Sequence, residues 1–577
     1  MKHPDFIRTV RSQRGSALVM ALLALLFLSV LGVSLASLGM TEYAISTNWR
    51  DYSRAFYGAE AGLEAGVANL KTVLSANPDP TAADLAAIAA PALTTTGLTY
   101  SAFAVRTVLP VAPYSYATVL PTSSAYPGLT GTATDYQVNA QVTAAAPGGG
   151  AKANLTQVYQ YIKVPLFQYG IFYGKGVDLE VAPGANMTFN GRVHANSNIY
   201  MGADGGATLS FDSYITAAGS IYRRIKRDTV DIPFGSNPRI KDANGNYQAL
   251  NFDHDYQPGF SGNWPESSWT AALQSTFGPG GKSSTVKDST MGVGQITPPV
   301  PDLFYNPSNP DVIAHELIEL PKPGDSAALA AAKLYSKSGL RIVDGLATNA
   351  SGYPVSLPAG VITSQTFYDG REGKNVTVTQ VDMGALRASG LAPANGVMYV
   401  GSTTGHPVRL VNGSQLPSQG LSVVSQNPVY VQGDYNTVNK VSAAVLADAV
   451  TVLSNNWSAN NSDAKGGQPV GNRPATNTTV NAAFALGPSA ESSSGSGNGQ
   501  LENVIRFLEN WSGKNFTYSG SLVSLWHSQE ATGRWISPGT YYNPPVRTWS
   551  YDTLFNTTPP PGTPYGVIMA KGRWSQG

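Results

Sequence analysis

Apolar and polar positions divide the chain into contrasting stretches. Residues 1–15 are polar and basic, with Lys2, Arg8, Arg11 and Arg14 against one acid, Asp5. From Ser16 to Thr41 the run is mostly apolar and carries no charge. Beyond it Ile45, Trp49, Tyr52, Phe56, Ala59, Leu63, Val67 and Leu70 recur every three or four residues, as one stripe of an amphipathic helix would. Glu60 and Glu64 lie one turn apart beside that stripe, and Asn77-Pro78 supplies a stop. The spacing predicts one helix over 16–75, about 90 Å long. Its first half is lipid-soluble and its second half amphipathic.

After an Ala/Thr-rich stretch the period changes to two. Thr99 to Val105, Asp135 to Val142 and Gln157 to Val164 alternate as antiparallel strands with one buried face, with Pro147-Gly148-Gly149-Gly150 as a turn between the last two. From Gly170 the rhythm shortens. Val177 to Val181, Met187 to Val193, Asn198 to Met201, Thr208 to Phe211 and Tyr214 to Ala217 suggest short strands punctuated by Pro183-Gly184, Asn190-Gly191 and Gly205-Gly206. A second patch, Val429 to Asn436 and Ala443 to Leu453, has the same style. Such spacing suits coils of a β-solenoid, although no strict period emerges, and an antiparallel sandwich is the alternative. Both patches contain a turn ending in Asn, at Asn196 and Asn436, as stacked Asn side chains at solenoid corners would require. The two patches are expected to form one solenoid, with residues 225–400 as an insertion. Within it Pro310 to Leu320 and Ala327 to Tyr335 are the best helix candidates. Further on, Val504 to Trp511 suggests a short helix, Thr517 to Trp526 a strand, and Pro559 to Pro561 the start of a last loop.

The fold class expected is thus α+β, mainly β: a long amino-terminal helix, an antiparallel β head, then a solenoid-like or sandwich region. The divisions fall at 1–15 (leader), 16–75 (helix), 76–165 (head), 166–456 (β-rich region with insertion) and 457–577 (aromatic-rich end).

The uncharged run of about 26 residues would span ~39 Å as helix, enough for a hydrocarbon core of about 30 Å. Basic residues before it place the short arm in the cytoplasm and everything downstream across the membrane. A secretory signal peptide competes, since Ser34-Leu35-Ala36 has small residues where a signal peptidase inspects the chain. The length of the apolar run and the continuing helical period weigh against it.

The leader ending in Arg14-Gly15, and an apolar helix that continues into an amphipathic one, resemble the signal of type IV pilins and type II secretion pseudopilins. Gln13 to Val19 (QRGSALV) and Arg54 to Gly66 (RAFYGAEAGLEAG) are similar to the PilX-type minor pilin amino-terminal family. This resemblance covers about the first 70 residues. It implies cleavage by a prepilin peptidase after Gly15, with Ser16 as a methylated amino terminus. It also implies other minor and major pilins and an inner-membrane assembly platform as partners, a tip adhesin as a further candidate, and no nucleic acid. The location implied is the inner membrane in a single pass, head periplasmic, then an extracellular filament. Pilins within a shaft usually carry Glu at the fifth mature position, where its charge neutralises a terminal amine in an apolar bundle. Here that position is Met20, which implies a subunit of the tip or priming complex. Residues 172–201, 447–457 and 505–513 also resemble large PilX-like pilus-assembly proteins, so the head is expected to belong with the helix.

Composition narrows the chemistry. Among 577 residues only 13% are charged, while Gly (60) and Pro (39) are abundant and aromatics reach 10%. That balance excludes a disordered chain and a multi-span membrane protein. A net charge of +1 gives no global field for nucleic acid, and the lack of Cys removes disulfides, thiolate metal sites and a Cys nucleophile. Asp253-His254-Asp255 could offer metal ligands, but in a strand His254 would point away from both acids. His315-Glu316-Leu317-Ile318-Glu319 resembles half of a zinc-protease motif, with Glu319 where the second His is needed. Asp242-Ala243-Asn244-Gly245-Asn246 resembles a calcium loop with its Gly misplaced, and a turn fits it better. Ser489 to Gln500 is expected to be a flexible loop. No nucleophile elbow or phosphate loop appears. The aromatic end, from Phe507 through Trp511, Trp526, Trp535 and Trp549 to Phe555, suggests a compact core or, alternatively, a glycan platform. The chain is expected to be a filament subunit, with no enzyme activity and no cofactor or metal. The helix-packing residues are Met20, Trp49, Tyr52, Phe56, Leu63 and Leu70. A membrane-anchored or exported solenoid that binds or cleaves carbohydrate is the alternative.

Overall fold

The computed structural model describes residues 14–109, 111–122, 124–145, 150–204, 206–224, 226, 237–253, 265–298, 300, 308–457, 467–490, 498–536 and 538–577. The leader before Arg14, Pro147-Gly148-Gly149, Gly205, His254, Asp255 and the centre of the 489–500 stretch lie outside these residues.

One helix, α1, runs from Arg14 to Ala76. It ends as Asn77 donates its N–H to Val73 O (2.8 Å) before Pro78. A short helix α2 (Ala82–Ala86) follows, capped by Thr81, whose hydroxyl accepts from Asp84 N while Asp84 accepts from Thr81 N. Strands β1 (Leu98–Thr107), β2 (Ser115–Val119), β3 (Thr130–Ala144) and β4 (Ala151–Pro165) then form an antiparallel sheet on α1. Its fifth strand comes from the far end of the chain: Tyr565–Gln576 pairs antiparallel with β4. Residues 166–564 are therefore inserted into the sheet of the head. The sequence alone suggested only a last loop here, because this edge strand is largely exposed, interrupted by Gly566 and Gly572, and bulged between Lys571 and Trp574.

The insertion is a parallel β-solenoid. Parallel stacking rules out the sandwich. Along its first face the strands follow in the spatial order Val286–Lys287, Ile215–Ala217, Val193–Ala195, Ile171–Tyr173, Leu522–Ser524, Ala483–Ala485, Ala443–Ala447, Leu421–Ser425, Val397–Gly401 and Leu340–Val343, all parallel. The antiparallel strand Leu346–Asn349 closes that end. The chain thus enters in the middle at Ile171, winds outward to Val286, crosses to the opposite end at Leu340 and winds back until Leu522 pairs with Ile171. A second face stacks Val408–Val411, Val429–Gln432, Val450–Leu453 and Arg506–Phe507. A third stacks Thr478–Asn481, Asn515–Gly520 and Val546–Tyr551.

The two sequence patches therefore do share one solenoid, but 225–400 is not simply an insertion, since it supplies several coils itself. Nor is residue 456 a boundary in the fold, because strands at 483–485 and 522–524 continue the first face. Val504 to Trp511 is not a helix. Arg506–Phe507 pairs with Thr451 and Val452, and Glu509 is buried as an acceptor for Ser454 N (2.6 Å) and Oγ (2.7 Å). The strand expected over 517–526 is two strands on two faces, turning at Ser521.

Alternate residues of the first face point inward to one core (Met398, Val400, Val423, Val445, Phe484) and outward to another (Tyr399, Val424, Leu446, Ala485, Val523). Burial on both sides explains the continuous apolar runs of these strands. The outer core is covered by the helical segments Pro310–His315, Ala327–Ala332 and Leu334–Lys337. Asn side chains tie neighbouring coils together: Asn436 Nδ2 donates to Asn481 O (2.8 Å), Asn481 Nδ2 to Asn436 O (3.1 Å), and Asn543 Nδ2 to Asn510 Oδ1 (2.9 Å). Asn196 instead binds both backbone groups of Ile296 at 2.7 Å.

Candidate assembly helix and buried polar sites

The long helix has two unlike halves. In the second, Ala55, Ala59, Leu63, Val67, Leu70 and Leu74 are buried against Val138, Ala140, Val142, Leu155, Tyr159 and Tyr161 of the sheet. Leu63 keeps only 4% of its surface. Tyr52 and Phe56 are half-buried at the rim of the same core. The sheet can approach so closely because Gly58, Gly62 and Gly66 face it. A Cβ at Gly62 would sit 2.8 Å from the Tyr100 ring and 2.9 Å from Ala140 Cβ, and one at Gly66 would sit 2.6 Å from Val138 Cγ1. These glycines were missed as packing residues, although their four-residue spacing in GAEAGLEAG puts them on one helix face. Polar ties fix the register. Arg54 donates to Thr96 O (2.7 Å) and reaches the buried Asp51 (3.4 Å), while Tyr100 Oη donates to Gly58 O (3.3 Å). The Tyr159 hydroxyl is pushed up to about 12, first by burial and then by the charge of Glu64.

The first half has no cover. Residues 15–46 are exposed throughout, Gly15, Ser16 and Met20 (68%) among them. The sheet begins to cover the helix only at Asp51, so Trp49, expected on the packed stripe, is 66% exposed together with Ile45. The helix is long and apolar enough to cross a membrane, and its most apolar window touches nothing else in the molecule. The helix therefore offers two surfaces: one consumed by its own head, and one apolar and free.

The remaining chemical candidates are structural. His315 is buried between two carboxylates, Nδ1 at 2.9 Å from Glu319 Oε1 and Nε2 at 3.2 Å from Asp448 Oδ1, with its ring edge-on to Trp526 at 5.5 Å. Burial pulls its pKa down, but the hydrogen bonds and charges of Asp448 and Glu319 outweigh this and raise it to about 9. Glu319 is raised by burial and more strongly lowered by His315 and Lys322, to about 2. Asp448 also accepts from Ser528 Oγ and from the N–H groups of Gln529, Glu530 and Ala531. Glu319 Oε2 also lies against Lys322 as an ion pair, so the cluster fastens the helical cover to a solenoid corner. Asp242 likewise accepts from Asn244 N (2.8 Å), Asn246 N (3.0 Å) and Gln248 Nε2 (2.9 Å), with Gly245 at φ +86°, which makes that loop a side-chain-capped turn. Asp253 is buried and accepts from Arg223 N (3.0 Å). Among the described residues no group of three or more His, Asp or Glu side chains could hold a metal ion. Phe507, Trp511, Phe516, Tyr518, Trp526, Tyr541 and Tyr542 are buried, with Trp535 and Trp549 half-buried against them, so the aromatic end is mainly a core.

Residues 14–64 match the PilX N-terminal family. A solved structure, the competence-associated pilin ComZ from Thermus thermophilus, is similar at 13% identity over 91% of this chain and 97% of that chain, with a TM-score of 0.29, which carries no argument. No curated protein matches the chain.

Proposed function

We propose that this chain, whose amino-terminal region is of the PilX type, is a minor pilin-like subunit of a type IV pilus or related filament, stationed at the tip or in the priming complex. The observation that carries this is the division of the helix. Its half from Asp51 onward is sewn into the head, and its bare apolar half is long enough to be stored in a bilayer and then packed among other such helices. The basic arm puts the amino terminus in the cytoplasm and the head across the inner membrane. Prepilin peptidase, the assembly platform and other pilins are the partners such a cycle needs. Met20 in place of an acid supports the tip assignment, since a first subunit has no earlier neighbour whose amine needs neutralising. An insertion of 166–564 in the head also suits an end, because such bulk is hard to repeat along a packed shaft. Assembly rather than catalysis is the chemistry of this subunit.

Two measurements test this. Amino-terminal sequencing of the mature protein should begin at Ser16 and depend on prepilin peptidase; a start at Ser37 would mean secretory cleavage instead. Immunogold against the solenoid should label filament ends, with Met20→Glu altering that placement. Uniform labelling of the wild-type shaft would refute the tip assignment.

A further inference from the structure

The solenoid carries a groove of about 520 Å³ at the corner where its coils turn from the first face into the second. That volume lies within the range of ~300–1,000 Å³ usual for ligand sites. One wall is the beginning of the strand Lys374–Asp382 and the turn before Val408, the other the segment at Glu530. Lys374, Asn375, Thr377, Thr404, His406 and Glu530 line its rim with hydrogen-bonding side chains, and Glu372 and Tyr430 line its floor. Among the described residues those of Lys374, Asn375 and His406 make no hydrogen bond to protein.

The floor is rigid. Tyr430 Oη donates to Asp369 Oδ2 (2.6 Å), and Asp369 Oδ1 accepts from the N–H groups of Arg371 (2.7 Å) and Glu372 (2.9 Å). Glu372 in turn accepts from Arg506 Nη1 (2.8 Å) and from Gly533 N. Glu372 is thus paired with Arg506 and Asp369 is held by three neutral donors, which leaves the rim groups to recognise a ligand. Glu530 accepts from Asn427 Nδ2 at 2.9 and 3.0 Å, and its acceptor capacity is not exhausted. Burial raises its pKa.

The rim mixes signs, Lys374 against Glu530, so it has no preference for a polyanion or a polycation. It carries an amide and two hydroxyls, while Val376, Pro407 and Pro428, which complete the lining, are buried. A ligand that complements this carries many hydroxyl groups, each both donor and acceptor, and no net charge. We propose that the groove binds a neutral oligosaccharide. This does not rest on the filament assignment.

Full-length protein in detergent is titrated with neutral hexasaccharides of α-linked glucose, β-linked glucose, xylose and N-acetylglucosamine, and with polygalacturonate as an anionic probe. At least one neutral hexasaccharide should bind. The double variant Asn375→Ala, Thr404→Ala, in which both residues are exposed, should weaken binding by about tenfold or more with an unchanged thermal midpoint. Glu530→Gln, which removes an ionic acceptor, should weaken it as well. Failure of every neutral probe, binding of the polyanion alone, or binding untouched by the double variant would each overturn the proposal.

Discussion

The head and the solenoid are held together in opposite ways. In the head one helix stripe serves a whole sheet, and the sheet is completed only by the last strand of the chain, so α1 and Tyr565–Gln576 meet across nearly the full sequence. In the solenoid each coil touches its neighbours, and the same contact recurs on three faces. A defect in the head therefore has nowhere to be absorbed, whereas a defect in one coil is shared with the next. The parallel pairing of Leu522 with Ile171 joins the solenoid's two arms beside the head, across a sequence gap that no other coil contact spans on that face.

The largest effect expected from a single change is on the head. Leu63→Asp would put a carboxylate into a core of apolar and aromatic side chains that includes Val138 and Ala140. That loses a burial worth about 1.5–3 kcal/mol and adds the cost of a desolvated charge, together more than ~4 kcal/mol. That is enough to unfold a domain of marginal stability. The helix before Thr41 does not touch the sheet, so membrane insertion should persist while the head loses protease resistance and the solenoid keeps its own. If both regions melt together, their independence is wrong; if the head stays resistant, the docked helix is wrong.

A smaller effect sharpens the contrast within the helix itself. Gly66→Leu introduces side-chain atoms where a Cβ alone would already lie 2.6 Å from Val138 Cγ1, while Gly39 has nothing within 4 Å. The first change should lower head stability by about 3 kcal/mol through overpacking. Gly39→Leu should leave the head transition where it is. Equal effects of the two on the head's thermal midpoint would mean that the close approach at Gly66 is not used.

What the sequence revealed follows the same division. Leu63, Val67 and Leu70 are legible because a stripe with a period of 3.6 residues persists over several turns. Trp49 obeys that period as well, yet is exposed, since periodicity does not tell where the partner sheet begins. Ile171, Val193 and Ile215 are in register at steps of 22 residues, as are Leu421 and Ala443. Val397 and Ser422, however, are 25 apart, and Leu340 and Met398 are 58 apart. Loops of variable length thus hide the repeat, and each coil presents only a few residues per face. The pairing of Leu522 with Ile171 leaves no local trace. Asn436 was legible as a corner Asn, but its role as a tie to the next coil required knowing that Asn481 is its neighbour. The polar groove is assembled from segments around 374, 404, 430 and 530, too distant in sequence for any motif to collect them.

The smallest effect concerns a point fastening of the solenoid's helical cover. His315 holds the helical cover to Asp448, and its folded pKa of about 9 lies above the ordinary 6.5. A group whose pKa is raised on folding stabilises fully below its unfolded value and loses that contribution as pH rises through the folded one. The fastening by His315 is therefore complete below about pH 6.5 and lost through about pH 9. Glu319 and Asp448, both lowered, contribute above their ordinary range and lose that contribution only as pH falls, Glu319 through about 2. His315→Gln keeps a hydrogen-bonding side chain but removes the titrating charge. It should cost on the order of 1–3 kcal/mol near pH 6, since burial limits solvent screening of the ion pairs. The thermal midpoints of wild type and His315→Gln should accordingly differ most near pH 6 and converge towards pH 10, with the head transition the same in both. A difference that stays constant across that range would mean that the imidazole acts through shape and neutral hydrogen bonding. The cover would then be one more packed layer of the solenoid, and the contrast between a head held at one face and a solenoid held everywhere would stand without exception.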